Sequence, residues 1–336
     1  MRYLCWTFLA SIITSEDPMT IATTALSRRR FLTTSATVAA AAYFAPSALF
    51  AQAGDAVSQM RASGATAKIS TQKLRGNVSV LMGSGGNILV LPGSDGKLLV
   101  DSGFATSRPQ ITEALAAISN DPIKHLVDTH WHFDHTDGNE WLHAAGATII
   151  AHENTRKRLS TPQQIAAFNA HFPPAPAGAL PTIVFNQDKT ITTNGETLHL
   201  AHFNPAHTDS DISVHFANAN IIHAGDTWFH GVYPFIDYSS GGNIDGMIAA
   251  TALTLSRADN ETILIPGHGP VGNKAQLTAD HQMLVAIRDN VAALKKQGKS
   301  VEEAIAAKPT ASFDAKYATG GIVPPDTFTR LVYAGV

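Results

Sequence analysis

The sequence is almost without cysteine, since Cys5 is the only one in 336 residues. Cys5 lies ahead of a predicted cleavage point after Ala53, so the mature chain would contain no cysteine. That excludes a disulfide, a catalytic thiol and a thiolate metal ligand. Any metal site in this chain must therefore be built from nitrogen and oxygen ligands, and the 15 histidines are the first candidates.

The sequence also lacks an excess of charge of either sign. It has 24 Lys and Arg against 27 Asp and Glu, a formal net charge of -3. This balance gives no electrostatic reason to expect nucleic acid as a partner. No polybasic stretch would hold the chain on an anionic membrane, so no stable membrane anchor is expected. Composition leaves the oligomeric state open.

The N-terminal residues have the features of an export signal. Arg28-Arg29 stands ahead of an alanine-rich apolar stretch over residues 36–51, as in twin-arginine signals, and Ala51-Gln52-Ala53 has the form of a cleavage site. The apolar stretch is too short to span a membrane as a helix. Residues 1–53 are therefore predicted to be an export signal, with Met19 as an alternative start, and the mature protein is expected in the periplasm or outside the cell.

The rest of the chain is predicted to hold one folded domain. Residues 54–75 are small and polar and are predicted to be a linker, whereas alternating strand and helix patterns over residues 76–310 predict a mixed α/β domain. Residues 311–336 are predicted to be a C-terminal tail. A Pro- and Ala-rich loop over residues 160–181 is of the kind that covers functional sites.

Two helix starts have the form of a capping box, in which a polar N-cap residue is followed three positions later by Glu. One is Asp137 with Glu140, ahead of a predicted helix over residues 138–145. The other is Ser300 with Glu303.

The strongest chemical signal is the segment Asp128-Thr129-His130-Trp131-His132-Phe133-Asp134-His135, directly after a predicted buried strand. On an extended chain His130 and His132 point to the same side, so both imidazoles can bind one cation. Asp134 and His135, a little further on, can face a second cation. Imidazole and carboxylate are ligands that suit zinc and similar divalent metals.

Three later segments share one pattern, in which an apolar strand ends at a Gly or Pro turn and presents a His or Asp. They are Pro205-Ala206-His207-Thr208-Asp209, His223-Ala224-Gly225-Asp226-Thr227 and Ile265-Pro266-Gly267-His268-Gly269-Pro270. Loops at strand ends are where such sheets present functional groups.

The order His-x-His-x-Asp-His, then His, then Asp, then Gly-His-Gly resembles the metallo-β-lactamase-fold hydrolases, which include β-lactamases, glyoxalase II-type thioesterases and lactonases. The resemblance covers roughly residues 77–271, and Val100-Asp101-Ser102-Gly103 matches the family's early strand and turn. It implies an α/β fold, specifically a four-layer αβ/βα sandwich. It also implies two divalent metal ions, expected to be Zn²⁺: the first held by His130, His132 and His207, the second by Asp134, His135 and His268, with Asp226 bridging them.

This resemblance implies a dinuclear zinc hydrolase. Two cations that share a bridging water lower its pKa toward about 7, and the hydroxide attacks a carbonyl without a Ser or Cys nucleophile. Asp134 is the predicted catalytic residue, because it can orient the hydroxide and accept its proton. The expected substrate is a small molecule with a cyclic amide, ester or thioester, and a β-lactam or lactone is favoured.

Departures from the largest β-lactamase class bear on the substrate. That class has cysteine where Asp226 stands, and often lysine where Phe229 stands, which binds the carboxylate of the antibiotic. A bridging Asp is closer to the thioesterases and lactonases. The residues after His268, however, show no counterpart of the basic glutathione-binding region of glyoxalase II.

Two groups of residues are weaker candidates. Asp101 and Asp128 could orient ligand imidazoles, or could instead cap turns and strand ends. The predicted substrate contacts are Trp228, His230, Tyr233 and Tyr238.

Two alternative functions stay open on the sequence. One is a mononuclear iron oxidoreductase similar to persulfide dioxygenases, which use a related ligand set. The other is a metal-binding protein that has lost its activity.

Overall fold

A computed structural model describes residues 53–336, with side chains described from residue 56 onward. The predicted export signal lies outside the described residues except for Ala53 at its end. Within the described part of the chain, no helix combines the length and the apolar character needed to cross a bilayer.

Seven strands form the first sheet: β1 (Ser70–Lys73), β2 (Ser79–Met82), β3 (Ile88–Leu91), β4 (Lys97–Val100), β5 (Ile123–Val127), β6 (Thr148–His152) and β9 (Ile183–Phe185). Their order across the sheet is β1-β2-β3-β4-β5-β6-β9. Strands β1 to β4 pair antiparallel, and β4, β5, β6 and β9 pair parallel. The carboxyl ends of β4, β5 and β6 therefore meet at one edge.

Five strands form the second sheet, in the order of the chain: β10 (Asp188–Thr193), β11 (Glu196–His202), β12 (Ile212–Phe216), β13 (Ile221–His223) and β14 (Ile263–Ile265). Pairing is antiparallel up to β13 and parallel between β13 and β14. A separate short hairpin joins β7 (Gln163–Ile165) to β8 (Ala170–Phe172) inside the loop predicted over residues 160–181.

The helices lie mostly outside the sheets. They are α1 (Ala53–Gly64), α2 (Arg108–Ile118), α3 (Phe133–Thr136), α4 (Asn139–Ala144), α5 (Glu153–Leu159), α6 (Ile244–Arg257), α7 (Lys274–Lys296), α8 (Val301–Ala306), α9 (Ala311–Tyr317) and α10 (Pro325–Gly335).

Alternation along the strands builds the four layers. Val80, Leu98 and Val214 belong to one buried cluster between the two sheets. Their neighbours point the other way, so that Leu99 packs in a second cluster with Ile111 and Leu115 of α2. On the far side, Ile222 and Leu264 pack with Leu277 of α7. Side chains that alternate between two faces give helix, sheet, sheet, helix, which confirms the αβ/βα sandwich.

Two predicted segment assignments are corrected by the structure. The linker predicted over residues 54–75 contains α1 and β1, and Val57 of α1 is buried in the core. The C-terminal tail predicted over residues 311–336 consists of α9 and α10, whose Phe328 is fully buried. Residues 54–75 are small and polar, so their composition resembles that of a linker although α1 packs against the core. Residues 311–336 carry apolar side chains, and α9 and α10 bury Tyr317, Phe328 and Val332 among them.

One of the two predicted capping boxes is confirmed. Ser300 and Glu303 cap α8 reciprocally. The box at Asp137 and Glu140 is wrong, because α4 begins after Gly138 and has no side-chain cap. The Asp137 carboxylate is instead bound by Arg61 of α1.

Candidate metal centre

The seven predicted ligand side chains meet at one edge of the two sheets. His130, His132, Asp134 and His135 lie on the loop and short helix after β5, and His207 lies between β11 and β12. Asp226 follows β13 and His268 follows β14. These strands end at the same edge, so segments far apart in sequence converge there.

The ligand atoms fall into two groups, within each of which they lie no more than 4.8 Å from one another: His130, His132, His207 and Asp226 in the first, and Asp134, His135 and His268 in the second. The first group is buried. The second opens toward solvent, since the side chains of Asp134 and His268 are 18% and 15% exposed.

The Asp226 carboxylate lies between the two groups. Its Oδ1 is 3.1 Å from His135 Nε2 in the second group. Its Oδ2 is 3.4 Å from His207 Nε2 in the first group and 3.4 Å from His268 Nε2 in the second. One carboxylate therefore reaches both groups.

Two histidines after β5 are held by groups outside the cluster. His135 Nδ1 donates to Asp101 Oδ2 over 2.7 Å, so its Nε2 faces the other ligands. His130 Nδ1 lies 3.0 Å from Thr129 Oγ1, and that hydroxyl in turn donates to Asp101 over 2.9 Å. Asp101 thus fixes the ring orientation of His135 directly and that of His130 through Thr129.

The other two histidines of the first group are held from the loop around residue 236. His132 Nε2 lies 3.1 Å from Asp237 Oδ2, so His132 presents Nδ1 to the cluster. His207 Nδ1 donates to the Phe235 carbonyl over 2.9 Å. The inward nitrogens, His132 Nδ1 and His207 Nε2, are 2.8 Å apart. Asp237 is not among the predicted site residues, because only the folded chain brings it beside His132.

The electrostatics of the site favour bound cations. Burial lowers the pKa of His130, and it lowers the pKa of His207 to about 4, so both imidazoles are neutral near pH 7. His130 Nε2 is buried and makes no hydrogen bond with any residue from 53 to 336. Burial also acts to lower the pKa of His268, but Asp226 and Asp134 raise it to about 9. A buried nitrogen without a partner, beside carboxylates that attract positive charge, fits a metal ligand.

Glycine is required where the backbone approaches the cluster closely. A Cβ on Gly267 would lie 1.8 Å from Asp226 Oδ1. A Cβ on Gly86 would lie 2.1 Å from Cε1 of His135. No side chain fits at either position without displacing a ligand.

The predicted substrate residues have mixed outcomes. Trp228 and Tyr233 are buried, with Trp228 Nε1 donating to Asp280 and the Tyr233 hydroxyl donating to Asp314. These contacts place both side chains in the core and do not support their predicted place in a substrate pocket.

The remaining candidates are the predicted substrate contacts His230 and Tyr238 and the predicted orienting carboxylates Asp101 and Asp128. The His230 Nδ1 N–H donates to the Pro270 carbonyl over 2.8 Å next to the His268 loop, and Tyr238 is half-buried. Asp128 binds Asn139, not a ligand histidine, so of the two predicted orienting carboxylates only Asp101 contacts one.

The fold and the site together define a hydrolase-type αβ/βα protein with a His and Asp metal site. The chain belongs to the metallo-beta-lactamase superfamily, whose family model matches residues 81–268.

Individual relatives are more distant. A hydroxyacylglutathione hydrolase from Polaromonas sp. is 27% identical over 169 residues, which are 50% of this chain and 56% of that protein. The match thus spans little more than half of that relative. A metallo-beta-lactamase from Pontibacter korlensis superposes with a TM-score of 0.53 at 20% identity, over 65% of this chain and 99% of that one.

The sec-alkylsulfatase Pisa1 from Pseudomonas sp. superposes over more of this chain. Its TM-score is 0.59 at 16% identity, over 82% of this chain and 51% of that one. At these identities the structural neighbours establish the fold.

Proposed function

We propose that this chain is a dinuclear zinc-dependent hydrolase of a small cyclic amide, ester or thioester. In this proposal His130, His132 and His207 hold the first ion. Asp134, His135 and His268 hold the second, and Asp226 bridges the two. Superfamily membership supports hydrolysis, and the seven converging side chains support a metal-dependent mechanism.

The position of Asp226 is the observation that carries the proposal. A single tetrahedral ion uses four ligands, whereas this edge of the fold presents seven in two adjacent groups. A carboxylate with one oxygen 3.1 Å from a second-group nitrogen and the other 3.4 Å from a first-group nitrogen is placed to serve two ions. This favours the dinuclear hydrolase over a mononuclear iron oxidoreductase.

Two divalent ions held here would supply a water of lowered pKa and polarise a substrate carbonyl. The side chains of the protein supply orientation and proton transfer. Asp237 and Asp101 fix the rings of His132 and His135. The Asp134 carboxylate is 18% exposed, against 3% for Asp226, so it can accept a proton at the open side of the site.

The substrate class is proposed from the surroundings of His268. Phe229 stacks on the His268 ring with centroids 5.2 Å apart, where many β-lactamases carry lysine. Arg158, just before the loop over residues 160–181, could offer another cation to a substrate carboxylate, but it is paired with Asp209 over 2.7 Å. Truncating one partner of a desolvated charge pair typically costs about 2–5 kcal/mol. Without such a pair, β-lactams should bind weakly, and an uncharged lactone or ester should be the better substrate.

A substrate panel tests the function. Penicillins, carbapenems, lactones and thioesters are assayed for kcat and KM separately, with the zinc-loaded mature chain. We expect turnover of some lactone or ester and a high KM for every β-lactam. Asp226→Ala should abolish turnover, and the matched control Asp245→Ala, an exposed carboxylate on α6, should retain it. Micromolar KM for several β-lactams without ester turnover would contradict the substrate proposal.

The same panel separates the alternatives. Oxygen consumption with a persulfide and one iron per chain would support the dioxygenase-like function instead. Two tightly bound ions without turnover of any substrate would favour an inactive metal-binding protein.

A further inference from the structure

One side chain of the N-terminal helix reaches the metal-ligand segment. Arg61 lies in α1, and its Nε and Nη2 donate to the two carboxylate oxygens of Asp137 over 2.6 and 2.7 Å. Two parallel bonds between a planar guanidinium and a carboxylate fix orientation as well as distance. Asp137 is the residue that directly follows α3, the helix that carries Asp134 and His135.

The same guanidinium also contacts the start of α3. The Arg61 Cζ lies 5.2 Å from the ring centroid of Phe133 and 5.7 Å from that of Phe172 in β8. The two rings stack on each other with centroids 5.4 Å apart. Stacking of this kind favours Arg over Lys, because the guanidinium is planar. Arg61 therefore contacts Phe133, the first residue of α3, and Asp137, the residue directly after the helix.

Helix α3 needs such support. It has only four residues, Phe133–Thr136, and so short a helix is not stable by its own hydrogen bonds. The direction in which Asp134 and His135 point depends on what holds its two ends. The Asp101 contact holds the His135 ring, and the Gly86 N–H donates to the Asp134 carbonyl over 3.0 Å, but neither contact binds Phe133 or Asp137 at the two ends of the helix.

Helix α1 is itself anchored, so Arg61 acts from a fixed support. Val57 is buried in the core, 5% exposed. At the end of α1, Ser107 Oγ donates to the Gly64 carbonyl over 2.8 Å, and Gln110 Nε2 donates to the Ala65 carbonyl over 2.7 Å. These bonds tie the helix to the segment that begins α2.

We propose that Arg61 is a positioning residue for the second ligand group, which holds both ends of α3 and thereby aims Asp134 and His135. This inference rests on the proposed function, because it takes those two side chains as ligands of the second ion. It assigns a role to a segment that sequence composition predicts to be a linker.

The test uses the mature chain titrated with Co²⁺ in place of zinc, with three variants. Arg61→Ala removes both contacts, and Arg61→Lys keeps the charge without the planar fork. Arg330→Ala is the matched control, since Arg330 forms a similar two-bond pair with Glu302, remote in sequence from the ligand segments. Amide hydrogen exchange over residues 133–137 is measured in each protein.

We expect the second cobalt to bind about tenfold more weakly in Arg61→Ala, the lower end of the range for residues that orient metal ligands. Its visible absorption band should shift, whereas binding of the first cobalt should not change. Arg61→Lys should fall between Arg61→Ala and the wild type, and Arg330→Ala should match the wild type. The amides of His135 and Asp137, which donate to the carbonyls of His132 and Phe133, should exchange faster only in the Arg61 variants.

Unchanged exchange over residues 133–137 together with wild-type affinity for the second cobalt would overturn the inference. If the wild type binds only one cobalt, the dinuclear function is contradicted. Faster exchange of α3 in the Arg61 variants, but not in Arg330→Ala, would still support the positioning role in that case. If Arg61→Ala does not fold, Arg61→Lys alone decides by the same two measurements.

Discussion

At the scale of single residues, Asp237 illustrates how the ligand histidines are oriented. It is 1% exposed, and its carboxylate accepts hydrogen bonds from His132 Nε2, the Ser239 backbone N–H and the Ser240 hydroxyl. Although burial acts to raise the pKa of Asp237, its bond to His132 lowers it below the usual range, so the carboxylate stays charged. A charged acceptor on Nε2 makes Nδ1 of His132 a better ligand.

Replacing Asp237 should therefore weaken binding of the first ion. We expect Asp237→Ala to reduce affinity for that ion about 10- to 100-fold, as is typical for carboxylates that orient ligand histidines. Chelator competition with the zinc-loaded chain measures the change. Asp245→Ala is the control, because its carboxylate is exposed on α6. Unchanged affinity in Asp237→Ala would show that the bond to His132 does not support the site.

The metal ligands could be predicted from the sequence, because each belongs to a short motif formed with its neighbours in the chain. The His-x-His-x-Asp-His run identified four of the converging side chains by itself, and the order of the later His and Asp turns identified the other three. Asp237 and Arg61 could not be found this way, because their partners lie 105 and 76 positions away. Contacts of that range depend on how the strands and helices pack, which a single sequence does not specify.

At the scale of elements, local signals succeeded where no distant partner competed. Ser300 and Glu303 form the predicted box, and the neighbouring Lys299, 3.6 Å from Glu303, does not displace it. Asp137 and Glu140 have the same sequence pattern, but the Asp137 carboxylate forms an ion pair with Arg61 and does not cap helix α4, whose N-cap residue is Gly138. The sequence analysis did not predict helix α1 for a similar reason. Contacts with residues distant in sequence stabilise this helix, and its own sequence has no clear helical repeat of apolar residues.

The C-terminal helix α10 is expected to be part of the cooperative core. Phe328 is fully buried and stacks on Tyr233 with ring centroids 4.8 Å apart. Truncating a buried Phe typically costs about 3–5 kcal/mol. Phe328→Ala should therefore lower the free energy of unfolding by about that amount in denaturant titration, whereas Leu331→Ala, which is only half-buried, should cost less.

A loss below about 0.5 kcal/mol in Phe328→Ala would place it in the range of ordinary surface substitutions. That result would restore the sequence-based prediction that residues 311–336 are a C-terminal tail outside the catalytic domain.

At the scale of the whole molecule, the export prediction concerns residues 1–53. We expect the chain to be exported already folded, because Arg28-Arg29 precedes an alanine-rich apolar stretch. Replacing both arginines with lysine should leave the precursor inside the cell. Cell fractionation would locate the protein, and its molecular mass would show whether the signal has been cleaved. An undiminished amount of mature protein in the periplasm would contradict the twin-arginine route.

The metal content of the purified mature chain tests the central claim most directly. Seven converging His and Asp side chains exceed what one tetrahedral ion uses, and Asp226 reaches both groups. Elemental analysis of the wild type is therefore expected to give about two zinc ions per chain, and about one in Asp226→Ala. One iron per chain in the wild type, or two tightly bound ions in Asp226→Ala, would contradict the dinuclear zinc site.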